Sequence, residues 1–163
     1  MKKILPLTAL FLSSLFFKQG YAQLKGFSVG PYIEFGSPKG EFAKHNGNGL
    51  GIGVGGDFKL MKKLSVMGSF GYMRFGREGG LLDGKNSVVS AIPIRAGIKY
   101  KLPLVYVKIE SGVAKFNNDL PNALILSPGI GLRILGLDIQ GSYESWLGDE
   151  GRSYAALRLA YHF

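Results

Sequence analysis

The sequence contains no cysteine. That excludes a disulfide framework, a thiolate metal site, a cysteine nucleophile and an acylated lipoprotein cysteine. Acidic side chains are scarce, 11 against 20 Lys and Arg. Beyond residue 22 no apolar run approaches the ~20 residues that cross a bilayer as a helix, and none keeps an apolar stripe at helical spacing. Glycine is what the chain has in excess, 25 of 163 residues, about twice the usual ~7%. There is neither the Gly-X-Y period of collagen nor the low hydrophobicity of a disordered segment, so an ordered structure must use these glycines.

The first residues read as an address. Lys2 and Lys3 precede an apolar run over residues 4–17, and Gly20, Tyr21 and Ala22 end in the small-residue pattern that a signal peptidase recognises. A membrane anchor is the alternative, but the run is short and interrupted by Pro6, Thr8, Ser13 and Ser14. Cleavage is therefore expected between Ala22 and Gln23, giving a signal peptide over 1–22 and one domain over 23–163. Losing Lys2, Lys3 and Lys18 lowers the formal charge from +9 to +6. An exported chain is not expected to meet DNA or RNA, so the basic excess does not argue for nucleic acid.

From Gln23 onward the recurring period is two. Phe27, Val29, Ile33 and Phe35 alternate with Ser28, Gly30, Tyr32 and Glu34, and Leu50, Ile52, Val54 and Phe58 alternate with Gly51, Gly53, Gly55 and Asp57. The same alternation recurs in segments beginning near Leu64, Ile92, Val105, Leu124, Leu137 and Ala155. Eight segments of about ten residues leave no room for a sixteen-stranded porin. The connections alternate in length: residues 37–48 and 77–87 are long, 61–63, 102–103 and 135–136 short, 116–122 and 147–153 intermediate. This is the signature of an all-β, eight-stranded antiparallel transmembrane up-and-down barrel, with tight turns at one end and longer loops at the other.

A water-soluble sandwich or lipocalin-like barrel would instead turn its apolar face inward. Charge favours the membrane version, because Glu34, Asp57, Lys59, Arg95, Lys99, Lys108, Glu110, Arg133, Asp138, Glu144 and Arg158 all share the polar face. Outward aromatics should form two girdles. Phe27, Phe58, Tyr100, Tyr161 and Phe163 fall at the turn end, and Phe35, Phe70, Tyr72 and Tyr143 towards the loops.

The ending Leu157-x-Leu159-x-Tyr161-x-Phe163 is similar to the terminal strand of bacterial outer-membrane barrels, whose last aromatic is read by the assembly machinery. With the signal peptide and eight segments, the chain resembles the small barrels of the OmpA/OmpX type over the whole of 23–163. The resemblance implies a cell outer-membrane location, with both termini in the periplasm and four loops outside. The partners it implies are outer-membrane lipids and lipopolysaccharide, the assembly machinery and periplasmic chaperones, and it implies a monomer. No periplasmic domain follows Phe163, so peptidoglycan binding is not implied.

The interior of such a barrel is just wide enough for side chains. Gly51, Gly53, Gly55, Gly129 and Gly131 on the polar face are expected to make room for long charged neighbours. If Leu102 and Pro103 form a two-residue turn, Arg95 stands opposite Glu110; the same geometry at Leu135 and Gly136 puts Arg133 opposite Asp138. Six cations and five anions on this face are close to the balance that buried charges require. The expectation is a lumen plugged by structural ion pairs, with a narrow water path as the competing idea.

Other chemistry finds little support. Gly51-x-Gly53-x-x-Gly56 matches a dinucleotide fingerprint in letters only, since no strand-to-helix turn surrounds it. The two histidines, His45 and His162, are far apart in sequence and offer no metal cluster, and no cofactor is expected. Some small barrels remove or transfer acyl chains of lipid A, and His45 could be combined with Ser69, Glu34, Asp149 or Glu150, but no spacing selects that set. Lys39, Lys44, Arg77 and Lys85 are candidates for lipopolysaccharide phosphates within loops of mixed charge. The expected function is that of a non-enzymatic outer-membrane barrel in envelope structure or surface interaction. A narrow pore, or a lipid A acyl-modifying enzyme, is the alternative.

Overall fold

The computed structural model describes residues 26–76, 89–117, 121–148 and 151–163. The proposed cleavage point, Ala22 and Gln23, and the loop residues Arg77, Lys85, Asp149 and Glu150 lie outside the described residues. Each alternating segment forms a strand: β1 Phe27–Lys39, β2 Gly49–Lys59, β3 Leu64–Phe75, β4 Val89–Lys101, β5 Tyr106–Phe116, β6 Ala123–Ile134, β7 Leu137–Leu147 and β8 Arg152–Tyr161. Every strand pairs antiparallel with its chain neighbours and β8 returns to β1, so the sheet closes as a barrel. Closure leaves no edge with unpaired backbone groups, the condition a strand must meet to cross hydrocarbon. One helix, α1 Glu41–His45, falls in the first long connection; five residues are too few to display a helical period.

The faces sort as alternation predicts. Val54, Ile98 and Ile130 are more than half exposed on the outside, whereas Glu34, Glu110, Asp138 and Glu144 are buried inside. A water-soluble barrel would show the reverse. The turn-end aromatics Phe27, Phe58, Tyr100, Tyr161 and Phe163 are all exposed. Towards the loops only Phe35 and Tyr72 approach a girdle, because Phe70 and Tyr143 stand near the middle of β3 and β7.

The tight turns set the registers. Leu135 and Gly136 adopt φ of 50° and 87°, the handedness that two-residue hairpins favour, and Ile134 pairs with Leu137 and Arg133 with Asp138. At the β4–β5 turn the expectation fails. Leu102 N–H donates to the Val105 carbonyl at 2.8 Å, so the central pair is Pro103 and Leu104 rather than Leu102 and Pro103. Proline's fixed φ suits the first central position of an ordinary turn and cannot supply the positive φ needed at the second position of a type I′ hairpin. This one-residue displacement moves the register by two, leaving Arg95 opposite Gly112 and Glu110 opposite Gly97.

Candidate functional site in the barrel lumen

The lumen is built in two layers. In the half nearer the turns, five cations and five anions meet: Arg95, Lys99, Lys108, Arg133 and Arg158 with Glu34, Asp57, Glu110, Asp138 and Glu144. Lys59, the sixth cation expected inside, is exposed at the end of β2. Its departure makes this half of the interior charge-neutral, while Arg152 stands over the Phe116 ring at 4.9 Å in the other half.

Arg95 does not pair with Glu110. Its guanidinium crosses the lumen to Glu144 on β7 at 2.8 Å and Glu34 on β1 at 3.1 Å, and the Tyr154 hydroxyl donates to Glu144 at 2.7 Å. Glu110 instead bonds Lys108 on its own strand and lies 3.7 Å from Arg158. Lys108 also donates to Gln140 at 2.7 Å, and Arg158 to Glu34 at 2.7 Å. Arg133 meets Asp138 at 2.5 Å, as the turn geometry indicates, and also Asp57 at 2.7 Å. Lys99 donates to Asp57 at 2.9 Å, and the Tyr106 hydroxyl to Asp138. Arg158 with Glu34, Tyr154 with Glu144 and Arg133 with Asp138 meet across adjacent strands. Arg95 with Glu34 and Glu144, Lys99 and Arg133 with Asp57, and Lys108 with Gln140 join strands that are not neighbours. For these, alternation locates the residues on one face without indicating their partners.

The inward glycines make room for aromatics and methionine more than for charges. A Cβ on Gly53 would lie 2.6 Å from the Tyr32 ring, one on Gly51 2.7 Å from Met73 Sδ, and one on Gly131 2.5 Å from the Tyr106 ring. Gly129 follows the expectation most closely, facing the Lys108 side chain at 2.9 Å, and Gly51 also faces Glu34 Cβ at 3.5 Å.

The layer nearer the loops is apolar. Trp146 lies 5.8 Å from Phe75, 5.3 Å from Phe116 and 5.4 Å from Tyr154, and α1 lowers Phe42 onto Phe75 at 4.9 Å. Trp146 Nε1 donates to Glu144 at 2.7 Å and ties the two layers together. Alternation does not single out this cluster, because Met73, Phe75 and Trp146 are apolar residues on the otherwise polar inward face, and Phe42 and Phe116 fall in the expected connections 37–48 and 116–122. Met73 and Phe75 continue the inward parity of Met67 and Ser69, and Trp146 continues that of Glu144.

The residues considered for acyl chemistry do not converge. His45 is exposed at the end of α1, whereas Ser69 is buried in the lumen beside Glu110 and Glu34 is held by two arginines. Among the described residues no three His, Asp or Glu side chains are grouped to hold a metal. His162, just past β8, lines the turn end within 3.9 Å of Asp57 and 3.8 Å of Asp138. Burial, and then the Arg133 guanidinium, push its imidazole down to about 4. The last outward residues form a ridge on β8, with Leu157, Tyr161 and Phe163 exposed and Leu159 half-buried. Tyr161 and Phe163 meet edge to face at 5.1 Å, and Phe163 N–H donates to the Val29 carbonyl at 3.0 Å.

The fold is that of the small eight-stranded outer-membrane barrels. Ail, the attachment invasion locus protein of Yersinia pestis, is similar with a TM-score of 0.60 at 22% identity, over 86% of this chain and 100% of that one. A de novo designed transmembrane β-barrel gives 0.55 at 14% identity over 88% and 100%, and Neisserial surface protein A gives 0.50 at 12% over 85% and 98%. At these identities the likeness is one of architecture. No protein-family model matches the sequence, and no curated protein matches it.

Proposed function

We propose that this chain is a non-enzymatic integral protein of the bacterial outer membrane that contributes to envelope structure or surface interaction, with its lumen as a plug rather than a path. The carrying observation is the double layer inside the barrel, neutral paired charges beneath a closed aromatic cluster. An ion crossing it would have to break several buried pairs, each costly to leave uncompensated. In this reading the signal peptide is removed after Ala22, the termini and tight turns face the periplasm, and the longer connections face outward. The ridge Leu157, Leu159, Tyr161 and Phe163 then serves the assembly machinery, periplasmic chaperones escort the chain, and the mature barrel is a monomer among outer-membrane lipids and lipopolysaccharide.

Planar-bilayer recording of the refolded protein tests the plug. The expected result is no steady conductance. Stable channel events would favour a narrow pore, whose entrance would be the cavity of about 470 Å³ at the turn end that reaches Asp57, Lys99 and Arg133. Mass spectrometry of lipid A with and without expression should show identical acylation, and a changed acyl pattern would make the chain an enzyme. For surface interaction, shortening the connection over residues 77–87 should reduce adhesion while the heat-modifiable gel shift of the folded barrel persists.

A further inference from the structure

Four lysines with no acid beside them cluster at the turn end of the barrel. The paired lumen cations and anions cancel. Lys39, Lys44 and Lys115 are exposed towards the loops, Lys44 beside Glu41 at 2.6 Å, and Lys59, Lys62, Lys63 and Lys101 are exposed together at the turn end. Among the described residues no exposed acid accompanies them. The lumen holds Glu34, Asp57, Glu110, Asp138 and Glu144, and Glu41 sits on α1 at the other end. The chain's remaining acids, Glu78, Asp83, Asp119, Asp149 and Glu150, lie outside the described residues. Lys101 N–H donates to the Lys63 carbonyl at 2.7 Å, which sets the two lysine-bearing turns side by side. Like charges so placed repel unless an anion lies among them.

The outer wall of the same hairpin is hollow. Outward-facing Gly56 pairs with Gly68, and Gly68 with Ala96, leaving a groove of about 570 Å³ walled by Phe27, Phe58, Val66, Phe70 and Ile94. At ~3.3 Å per residue, Gly56 lies only about 10 Å along β2 from Lys59. A phosphate and an apolar chain joined to it could therefore occupy the rim and the groove together.

We propose that the β2–β3 hairpin binds an anionic phospholipid of the leaflet at the turn end, its headgroup phosphate among Lys59, Lys62, Lys63 and Lys101 and one acyl chain against Gly56 and Gly68. The proposal rests on the outer-membrane reading. A soluble anion could satisfy the lysines but would leave the groove unfilled, and a neutral lipid would do the opposite. Lysines at a membrane surface each favour anionic lipid about fivefold, and their long stems can lie along apolar surface while the ammonium reaches the phosphate.

Native mass spectrometry of the full barrel, released from bilayers of equal phosphatidylglycerol and phosphatidylcholine, tests the site. Wild type should retain phosphatidylglycerol more than tenfold over phosphatidylcholine. Replacing the four lysines by Gln should abolish that preference. Gly68→Leu should lower retention with every lysine in place, and the hairpin has space for it, since a Cβ there meets only the Arg95 carbonyl at 3.5 Å. The site is overturned if wild type shows no preference, if the preference survives the four substitutions, if Gly68→Leu changes nothing, or if inorganic phosphate displaces the retained lipid. A heat-modifiable gel shift is read on each sample. Wild type that fails to fold in bilayers would overturn the outer-membrane reading and the site with it, whereas folding without lipid preference overturns the site alone.

Discussion

Arg95 ties opposite sides of the barrel together, because its buried guanidinium bonds β1 through Glu34 and β7 through Glu144. Breaking a buried ion set by removing one member costs about 3–5 kcal/mol, largely from the charge left unpaired. Arg95→Ala takes a cation from two buried carboxylates, Glu34 and Glu144, and leaves Glu144 with none. Glu110→Ala leaves Lys108 bonded only to Gln140, while Arg158 stays bonded to Glu34. Both should lower the temperature at which the folded gel mobility is lost, Arg95→Ala by the larger amount; an unchanged transition in either variant contradicts a structural role for that pair. A double-mutant cycle should give stronger coupling for Arg95 with Glu144 than for Arg95 with Glu110. His162 carries the pH dependence at this scale. Its ring, pushed down to about 4 in the fold, protonates near 6.5 when unfolded. The unfolded chain therefore binds more protons between those values, so stability is flat above about pH 6.5 and falls as pH drops towards 4. Urea unfolding in steps from pH 7 to 5, above the range where ordinary carboxylates titrate, should show this loss in wild type and not in His162→Asn.

At the scale of the hairpin, two turns show what a sequence reveals and where it stops. The glycine after Leu135 pointed to a two-residue turn of positive φ, and the Arg133 and Asp138 register followed from it. Pro103 carried information of the same kind, since its ring belongs at the first central position. Centring the turn on Pro103 and Leu104 yields the observed partner of Arg95, Gly112. No register argument, however, leads to Glu144, which Arg95 reaches across the lumen. Leu135 itself is out of place, a side chain with a Cβ held at φ 50°, at a cost of about 1–2 kcal/mol. Leu135→Asn should raise unfolding stability by about 0.5–1 kcal/mol in urea titration, and a loss would mean that the turn depends on the leucine side chain. The glycines of β6 and β7 supply a second contrast. A Cβ at Gly131 would run into the Tyr106 ring, whereas at Gly141 it meets nothing within 4 Å. Gly131→Ala should therefore lower the melting temperature of the folded form, and Gly141→Ala should leave it near wild type.

Over the whole molecule, alternation made the lipid-facing surface and the charged half of the lumen legible, because each is a property of one strand face. The aromatic half was not legible, since its inward members Met73, Phe75 and Trp146 are as apolar as the outer face and it is completed by Phe42 from α1, a helix too short to announce itself. Trp146 gives direct access to that half. It is the only tryptophan in the chain, it is 1% exposed, and Phe42, Phe75, Phe116 and Tyr154 surround it. In protein refolded into bilayers, its fluorescence should resist aqueous acrylamide. Phe42→Ala removes the cover supplied by α1 and should raise that quenching severalfold while the gel shift persists. A reference tryptophan at an outward position, Phe70→Trp in a Trp146→Phe background, should be quenched strongly by brominated acyl chains, and Trp146 far less. Equal quenching of the two by brominated lipid would mean that Trp146 is not enclosed by the barrel wall, and easy quenching of wild type by acrylamide would mean that the aromatic layer stands open to water.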